Sequence, residues 1–411
     1  MEATRLEHFE IPVHQSQLPN GLTVLTAETA SQRVVAKLVV RAGSLLDGQY
    51  PGQAHYLEHI KMEGPSRDGM HPRLRSLIFK GCDCNAVVDQ FITQYVIWGM
   101  AEDSQDIIRA LLDIVFEERI DPKYVDIERS VILQECRNQG LRMQKAMRFN
   151  RIIFPHVPEL QFQITGDPKS IRAIDAAILA DFQDSYYTPG NAALIVAGGI
   201  KHEDVLKTAA GCDLPERKTR PIMKFAAEPK LCRAAIEDEQ IPDGLGMIFV
   251  GTEDRLELIH LQYAFDLLGH FPLGLLIQRL RMRDRRVYGL ELVKADYPKW
   301  LVIGSDLPPV HFNYFENAVF EEIERLVRCD YPPEIFELLR TKHRNAILTR
   351  AETRDNDSWV NRLAKGWYKN DFAYLDNQIL ATTREEVAQT VKKYLTRDRY
   401  GCVHFFTKRD W

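Results

Sequence analysis

The run Ala54-His55-Tyr56-Leu57-Glu58-His59 holds three side chains whose types and spacing could do chemistry. Residues four apart share one face of a helix, so His55 and His59 can grip a single ion. Two imidazoles suit zinc. Glu58 adjoins His59 and lies three residues beyond His55, so its carboxylate reaches the same face. From there it can take a proton from water whose pKa the metal has lowered. The order His-x-x-Glu-His is that of the inverted zinc-peptidase motif.

A zinc that acts on water takes three protein ligands and keeps a fourth position open. Glu135 is the candidate third ligand, on a helix that Asp121-Pro122 opens. Glu128 stands seven residues before it, two turns away on nearly the same face. It can accept the free imidazole N–H of one ligand and so fix that ring.

The elements that must position these residues are legible from pattern. Pro19-Asn20-Gly21 marks a hairpin turn leading into Leu22-Thr23-Val24-Leu25. Val34 to Val40 is a strand ending at Ala42-Gly43-Ser44, and a polar loop from Asp47 to Gln53 precedes the histidine helix. Asn85 to Met100 is rich in β-branched and aromatic residues and predicts one or two strands. Ile107, Ile108, Leu111, Leu112 and Val115 give an amphipathic helix over Ser104 to Glu118. A helix over Ile171 to Tyr187 and a strand over Asn191 to Ala197 follow, the latter stopped by Gly198-Gly199.

Residues 212–230 carry three prolines and little periodicity and are the candidate linker. The order then recurs. Strand material spans Met247 to Val250, a helix Leu256 to Leu268, and further strands lie near Leu290 to Val293 and Trp300 to Ile303. Three or more helices are expected between Phe312 and Leu395, with a last strand at Tyr400 to Phe406. This recurrence predicts two homologous α+β domains, 1–211 and 231–411, each an antiparallel-rich sheet packed with several helices.

Composition narrows the class. The chain has 411 residues, 45% hydrophobic and 27% charged, with a formal net charge of -5. These are globular values, and no basic excess points to nucleic acid. Seven cysteines are thinly spread, as reduced thiols would be, and Cys82-x-Cys84 reads as ordinary strand or turn. The first fourteen residues show neither a secretory signal nor a transit pattern, and no apolar run approaches the roughly 20 residues that span a bilayer. The expectation is a cytoplasmic protein without a membrane span.

With these residues in view, the sequence resembles the insulinase/pitrilysin family, in its shorter branch of mitochondrial and bacterial processing-type peptidases. The resemblance runs through Leu18-Pro19-Asn20-Gly21-Leu22, Ala42-Gly43-Ser44, and Gly52-x-Ala54-His55-x-Leu57-Glu58-His59. It continues through Asn85-Ala86, Thr93 and Tyr95, Glu128-Arg129-x-Val131-Ile132-x-x-Glu135, and Tyr186-Tyr187-Thr188-Pro189-x-Asn191. In the second half it rests on Leu280-Arg281 and Val287-Tyr288-Gly289.

The resemblance implies one zinc per chain on His55, His59 and Glu135, with Glu58 as catalytic base. It implies a catalytically inactive second domain that completes a chamber. Arg281 and Tyr288 would there hold the substrate backbone or stabilise the oxyanion. Unfolded peptide would add as a strand at Asn85-Ala86. It further implies a paired assembly: a homodimer, because this chain carries both the zinc motif and the Arg/Tyr pair, with a heteromeric partner as the alternative. A second function class, a non-catalytic partner or scaffold subunit, also exists in the family. Departures from the family pattern fall at Met62-Glu63, Val88, Gly269 to Gly274 and Met282 to Arg286, and none touches the zinc ligands.

Overall fold

Val34, Ala36, Leu38 and Val40 alternate along one strand with Val35 and Val39, and the two sets pack in different clusters on opposite faces of a sheet. In the computed structural model, residues 4–5, 11–63, 71–116, 120–138, 140–222, 228–294, 300–352, 356–368 and 376–407 are described. The chain forms two compact units. The first comprises residues 1–139, 162–223 and 350–374, and the second residues 140–161, 224–349 and 375–411.

The first unit is built on a seven-stranded sheet, in the order β1-β2-β3-β7-β4-β6-β5. Its strands are β1 (Thr4–Arg5), β2 (Val13–Gln17), β3 (Thr23–Glu28), β4 (Arg33–Val40), β5 (Asp83–Val88), β6 (Thr93–Met100) and β7 (Ala192–Gly198). The β3–β7 pair is parallel and the other pairs are antiparallel. The expected hairpin forms at β2–β3, where Gly21 N donates to Leu18 O and Leu18 N to Leu22 O. The segment from Asn85 to Met100 becomes two strands, β5 and β6, turned at Asp89, whose side chain accepts from the N–H groups of Phe91 and Ile92.

The helices of this unit are α1 (Gln53–Glu63), α2 (Pro72–Phe79), α3 (Ser104–Phe116), α4 (Pro122–Arg137), α6 (Pro168–Ala173), α7 (Ala176–Tyr186), α8 (His202–Ala210) and α12 (Asn356–Tyr368). The expected helix at Ser104 is thus present to Phe116, and its predicted end at Glu118 lies outside the described residues. The single helix expected over Ile171 to Tyr187 is two, because Asp175 breaks the run and caps α7, accepting from Ile178 N. One face of the sheet packs its apolar side chains against α1, α3, α4 and α7. The other face is covered by Trp359, Val360, Leu363, Ala364 and Trp367 of α12. This helix comes from late in the chain, which a contiguous partition does not show.

The second unit carries a five-stranded sheet in the order β10-β11-β9-β12-β8. Its strands are β8 (Arg233–Glu237), β9 (Gly244–Val250), β10 (Glu291–Lys294), β11 (Trp300–Asp306) and β12 (Tyr400–Phe406). Its helices are α5 (Leu141–Ile153), α9 (Arg255–Gly269), α10 (Phe312–Val327), α11 (Pro333–Glu352), α13 (Asp376–Ala381) and α14 (Arg384–Tyr394). Helix α5 comes from early in the chain. Its Phe149 fills the space a side chain would take at Gly246 of β9.

The two sheets share a plan. In each, the unit's last strand pairs in parallel with an early one (β3 with β7, β8 with β12), and the rest runs antiparallel in the same order. By this correspondence α9, which follows β9, matches α1, which follows β4. Helix α9 lacks the His-x-x-Glu-His pattern. The described residues between Gly211 and Cys232 form no helix or strand, and residues 223–227 of the candidate linker lie outside the description. The fold is α+β with two sheet-and-helix domains, as the residue pattern implied.

Candidate metal centre

Helix α1 lies against β5, α4 and α7. Its start is fixed by Asp47, six residues upstream. The buried carboxylate of Asp47 accepts from Gly52 N at 2.7 Å and Ala54 N at 2.9 Å, the first free donors of the helix. Burial pushes this carboxyl up to about 8, against the two backbone hydrogen bonds that favour its charged form. Gly52 adopts φ +97 and packs on Gly166, with no room for a Cβ. Further along, the Tyr56 hydroxyl donates to the carbonyl of Val125 and ties α1 to α4.

Helix α4 starts as the sequence indicated. The Asp121 side chain accepts from Lys123 N, and Pro122 fills the first turn. Its buried residues Val125, Glu128, Ile132 and Cys136 form one face. Arg129 reaches from the helix to the carbonyls of Ile171, Arg172 and Ile174, which fixes α4 against the end of α6.

Three ligand-type atoms then converge. His55 Nε2 lies 3.6 Å, and His59 Nε2 3.7 Å, from Glu135 Oε2. These exceed hydrogen-bond lengths. They approach the separation of about 3.3 Å between ligands that each sit 2.0–2.1 Å from one tetrahedral zinc. On the far side of its ring, His59 donates from Nδ1 to Glu128 Oε1 at 2.8 Å. That bond sets the tautomer and leaves the Nε2 lone pair for a metal. Glu58 Oε2 is 3.9 Å from His59 Nε2, and Glu58 is buried. The donor set, two imidazoles and a carboxylate with a second carboxylate behind, fits zinc.

Electrostatics separates the two histidines. Burial, with a smaller contribution from neighbouring His59, holds His55 down to about 3, so it is neutral. Burial also presses His59 down, but the hydrogen bond to Glu128 and the charges of Glu58, Glu135 and Glu128 outweigh it and raise the group. Beneath the helix, the hydroxyls of Tyr95 and Tyr187 meet at 3.0 Å, and burial raises both.

Asn85 and Ala86 lie on β5, the edge strand beside α1. The Asn85 side chain accepts from Ala86 N at 2.9 Å. Arg281 and Tyr288 belong to the second unit, where they lie together. The Arg281 guanidinium stands 4.9 Å from the Phe271 ring and 5.1 Å from the Tyr288 ring. Tyr288 is 88% exposed. Arg281 sits on a π-helical stretch, Ile277–Arg283. Arg279 holds that stretch through Glu321, Glu322 and Asp284.

Residue pattern alone does not single out Asp47 or Arg279. Capping residues normally adjoin their helix, and Asp47 does not. Arg279 is one cation in a basic run.

Two family models match the chain: insulinase (peptidase family M16) over residues 23–166, and the peptidase M16 inactive domain over residues 173–342. Together they account for more than half of it. Among curated relatives, the beta subunit of mitochondrial-processing peptidase from Lentinula edodes is 25% identical over 272 residues, 63% of this chain and 55% of that one. Subunit 1 of the mitochondrial cytochrome b-c1 complex from Mus musculus is 22% identical over 264 residues, 61% of this chain and 50% of that one. The match thus spans about half the length of these relatives.

Among solved structures, a protease from Helicobacter pylori superposes with a TM-score of 0.85 at 15% identity, covering 97% of this chain and 100% of that one. A peptidase M16 inactive domain from Pseudomonas fluorescens gives 0.82 at 16%, covering 97% and 98%. At these identities the likeness is one of fold. With both family models and the two-domain fold in agreement, the chain belongs to the insulinase family, peptidase family M16.

Proposed function

We propose that this chain is a zinc metalloendopeptidase that hydrolyses unfolded peptides, including leader or presequence segments. The observation that carries the reading is the convergence of His55 Nε2, His59 Nε2 and Glu135 Oε2, with Glu58 beside them and Glu128 behind His59. His55, His59 and Glu135 would hold zinc. When bound, zinc supplies Lewis acidity towards water and the scissile carbonyl.

Glu58 then accepts a proton from the attacking water on its carboxylate and delivers it to the departing amine. Glu128 keeps the His59 ring oriented, and Asp47 keeps the start of α1 in place. The substrate backbone pairs with the outer edge of β5, the last strand of its sheet among the described residues, so binding asks for an extended chain more than a particular sequence. Arg281 and Tyr288 supply donors to the substrate backbone or to charge developing on its carbonyl oxygen. Two copies of the chain form the working assembly.

The test is hydrolysis of a mixed pool of unstructured peptides by zinc-loaded protein and by Glu58→Gln, read by mass spectrometry. Cleavage by the wild type alone supports the reading. A second reading, a non-catalytic partner subunit, takes support from the similarity to a cytochrome b-c1 subunit and from the departures at Met282 to Arg286. It predicts no turnover by the zinc-saturated chain in isolation.

A further inference from the structure

Tyr400, Cys402 and His404 occupy successive positions on one face of β12. All three surround a single buried side chain, Glu316 of α10. His404 Nε2 lies 2.8 Å from Glu316 Oε1, and the Tyr400 hydroxyl donates to Glu316 Oε2 at 3.0 Å. Arg233, in register with Cys402 on the neighbouring strand β8, donates to the same carboxylate at 2.8 Å. Glu316 is 5% exposed and Cys402 1%. One ligand-type atom from each of Glu316, Cys402 and His404 lies within 4.8 Å of the others.

We propose that Glu316, Cys402 and His404 form a second metal site, for a divalent ion of zinc type, that clamps β12 to α10. A thiolate, an imidazole and a carboxylate are a ligand set that zinc and cobalt accept. Bonds of about 2.0–2.3 Å to one ion place such atoms roughly 3.3–3.6 Å apart, a small adjustment from their present spacing. The ion takes the place of the hydrogen bond between His404 and Glu316, and the Cys402 proton leaves as the metal binds. Arg233, 57% exposed at its side chain, stays on the outer carboxylate oxygen or swings into solvent.

The site is not a copy of the first. The first takes its two histidines from α1, whose counterpart in the shared sheet plan is α9, and none of these three residues is on α9. The alternative is a buried ion pair, with Arg233 and His404 balancing Glu316 and no metal.

Cobalt separates the two, because the His55, His59 and Glu135 set contains no sulfur. The full chain is loaded with Co²⁺ and read for the near-ultraviolet sulfur-to-cobalt band, with metal stoichiometry measured alongside. The site predicts that band in the wild type and in His55→Ala/His59→Ala, and its loss, with one metal equivalent, in Cys402→Ser. His404→Gln gives the same readout should Cys402→Ser fail to fold. No sulfur-to-cobalt band in the wild type, or a band and stoichiometry indifferent to both variants, overturns the site and leaves the ion pair. Failure of the zinc-peptidase reading removes the other equivalent and leaves the band untouched.

Discussion

At the residue scale, His59 meets a carboxylate at each ring nitrogen. Its Nδ1 is committed to Glu128 and its Nε2 faces Glu135. Carboxylates behind metal-bound histidines raise ligand basicity, and their loss costs about 10–100-fold in metal affinity. Glu128→Gln is expected to weaken zinc binding by that factor in a competition titration, with the fold intact by circular dichroism.

The histidines also give the metal-free chain a signed pH dependence. His59 is raised above its unfolded value, so its contribution to stability is full below pH 6.5 and fades as pH rises through the folded value. His55 is depressed, so stability is lost through it as pH falls from 6.5 towards 3. Zinc must displace the His59 proton but not one from His55. Calorimetry about one pH unit or more below the raised His59 value should therefore show close to one proton released per zinc taken up. Release of two would contradict the environments described.

At the scale of elements, the histidine helix was legible because its motif and spacing are local. The same holds for α4, opened by Asp121 and Pro122, and for the hairpin at Pro19-Asn20-Gly21. What was not legible depends on distant chain. The burial of Asp47 follows from the packing of its loop, and no capping spacing announces it. Nothing in the amphipathic pattern of Trp359, Leu363 and Trp367 says that they cover the first sheet. Asp47→Ala removes acceptors from two buried N–H groups at the start of α1. It should lower stability by about 1–3 kcal/mol in denaturant unfolding and weaken zinc binding in parallel. The edge position of β5 makes a second prediction. Main-chain pairing contributes about 0.5–1.5 kcal/mol per hydrogen bond. A peptide N-methylated at one pairing nitrogen should therefore show a KM raised about two- to tenfold, while methylation at the alternate nitrogen should leave KM unchanged.

On the scale of the whole molecule, two units with one sheet plan have diverged. One carries His55 and His59 on α1 and Glu135 on α4; the other has an unrelated α9 and carries Arg281 and Tyr288. The duplication was visible in the sequence as recurring element order, while the exchange of α5 and α12 was not, because it is a property of packing. The division of labour predicts that Tyr288→Phe leaves zinc content unchanged and lowers kcat. A lost donor to developing charge costs about 100–1,000-fold. Sedimentation at working concentration should find a dimer.

In the proposed reaction Glu58, beside the His55, His59 and Glu135 set, moves the proton in peptide hydrolysis. The direct measurement compares zinc-loaded wild type with Glu58→Gln on unstructured peptides, with zinc content determined for both. The account predicts equal zinc and a loss of turnover of at least about 10²–10⁴-fold, the range general acid–base catalysis supplies. Undiminished cleavage by the variant at full zinc occupancy, or no cleavage by the zinc-loaded wild type, would contradict it.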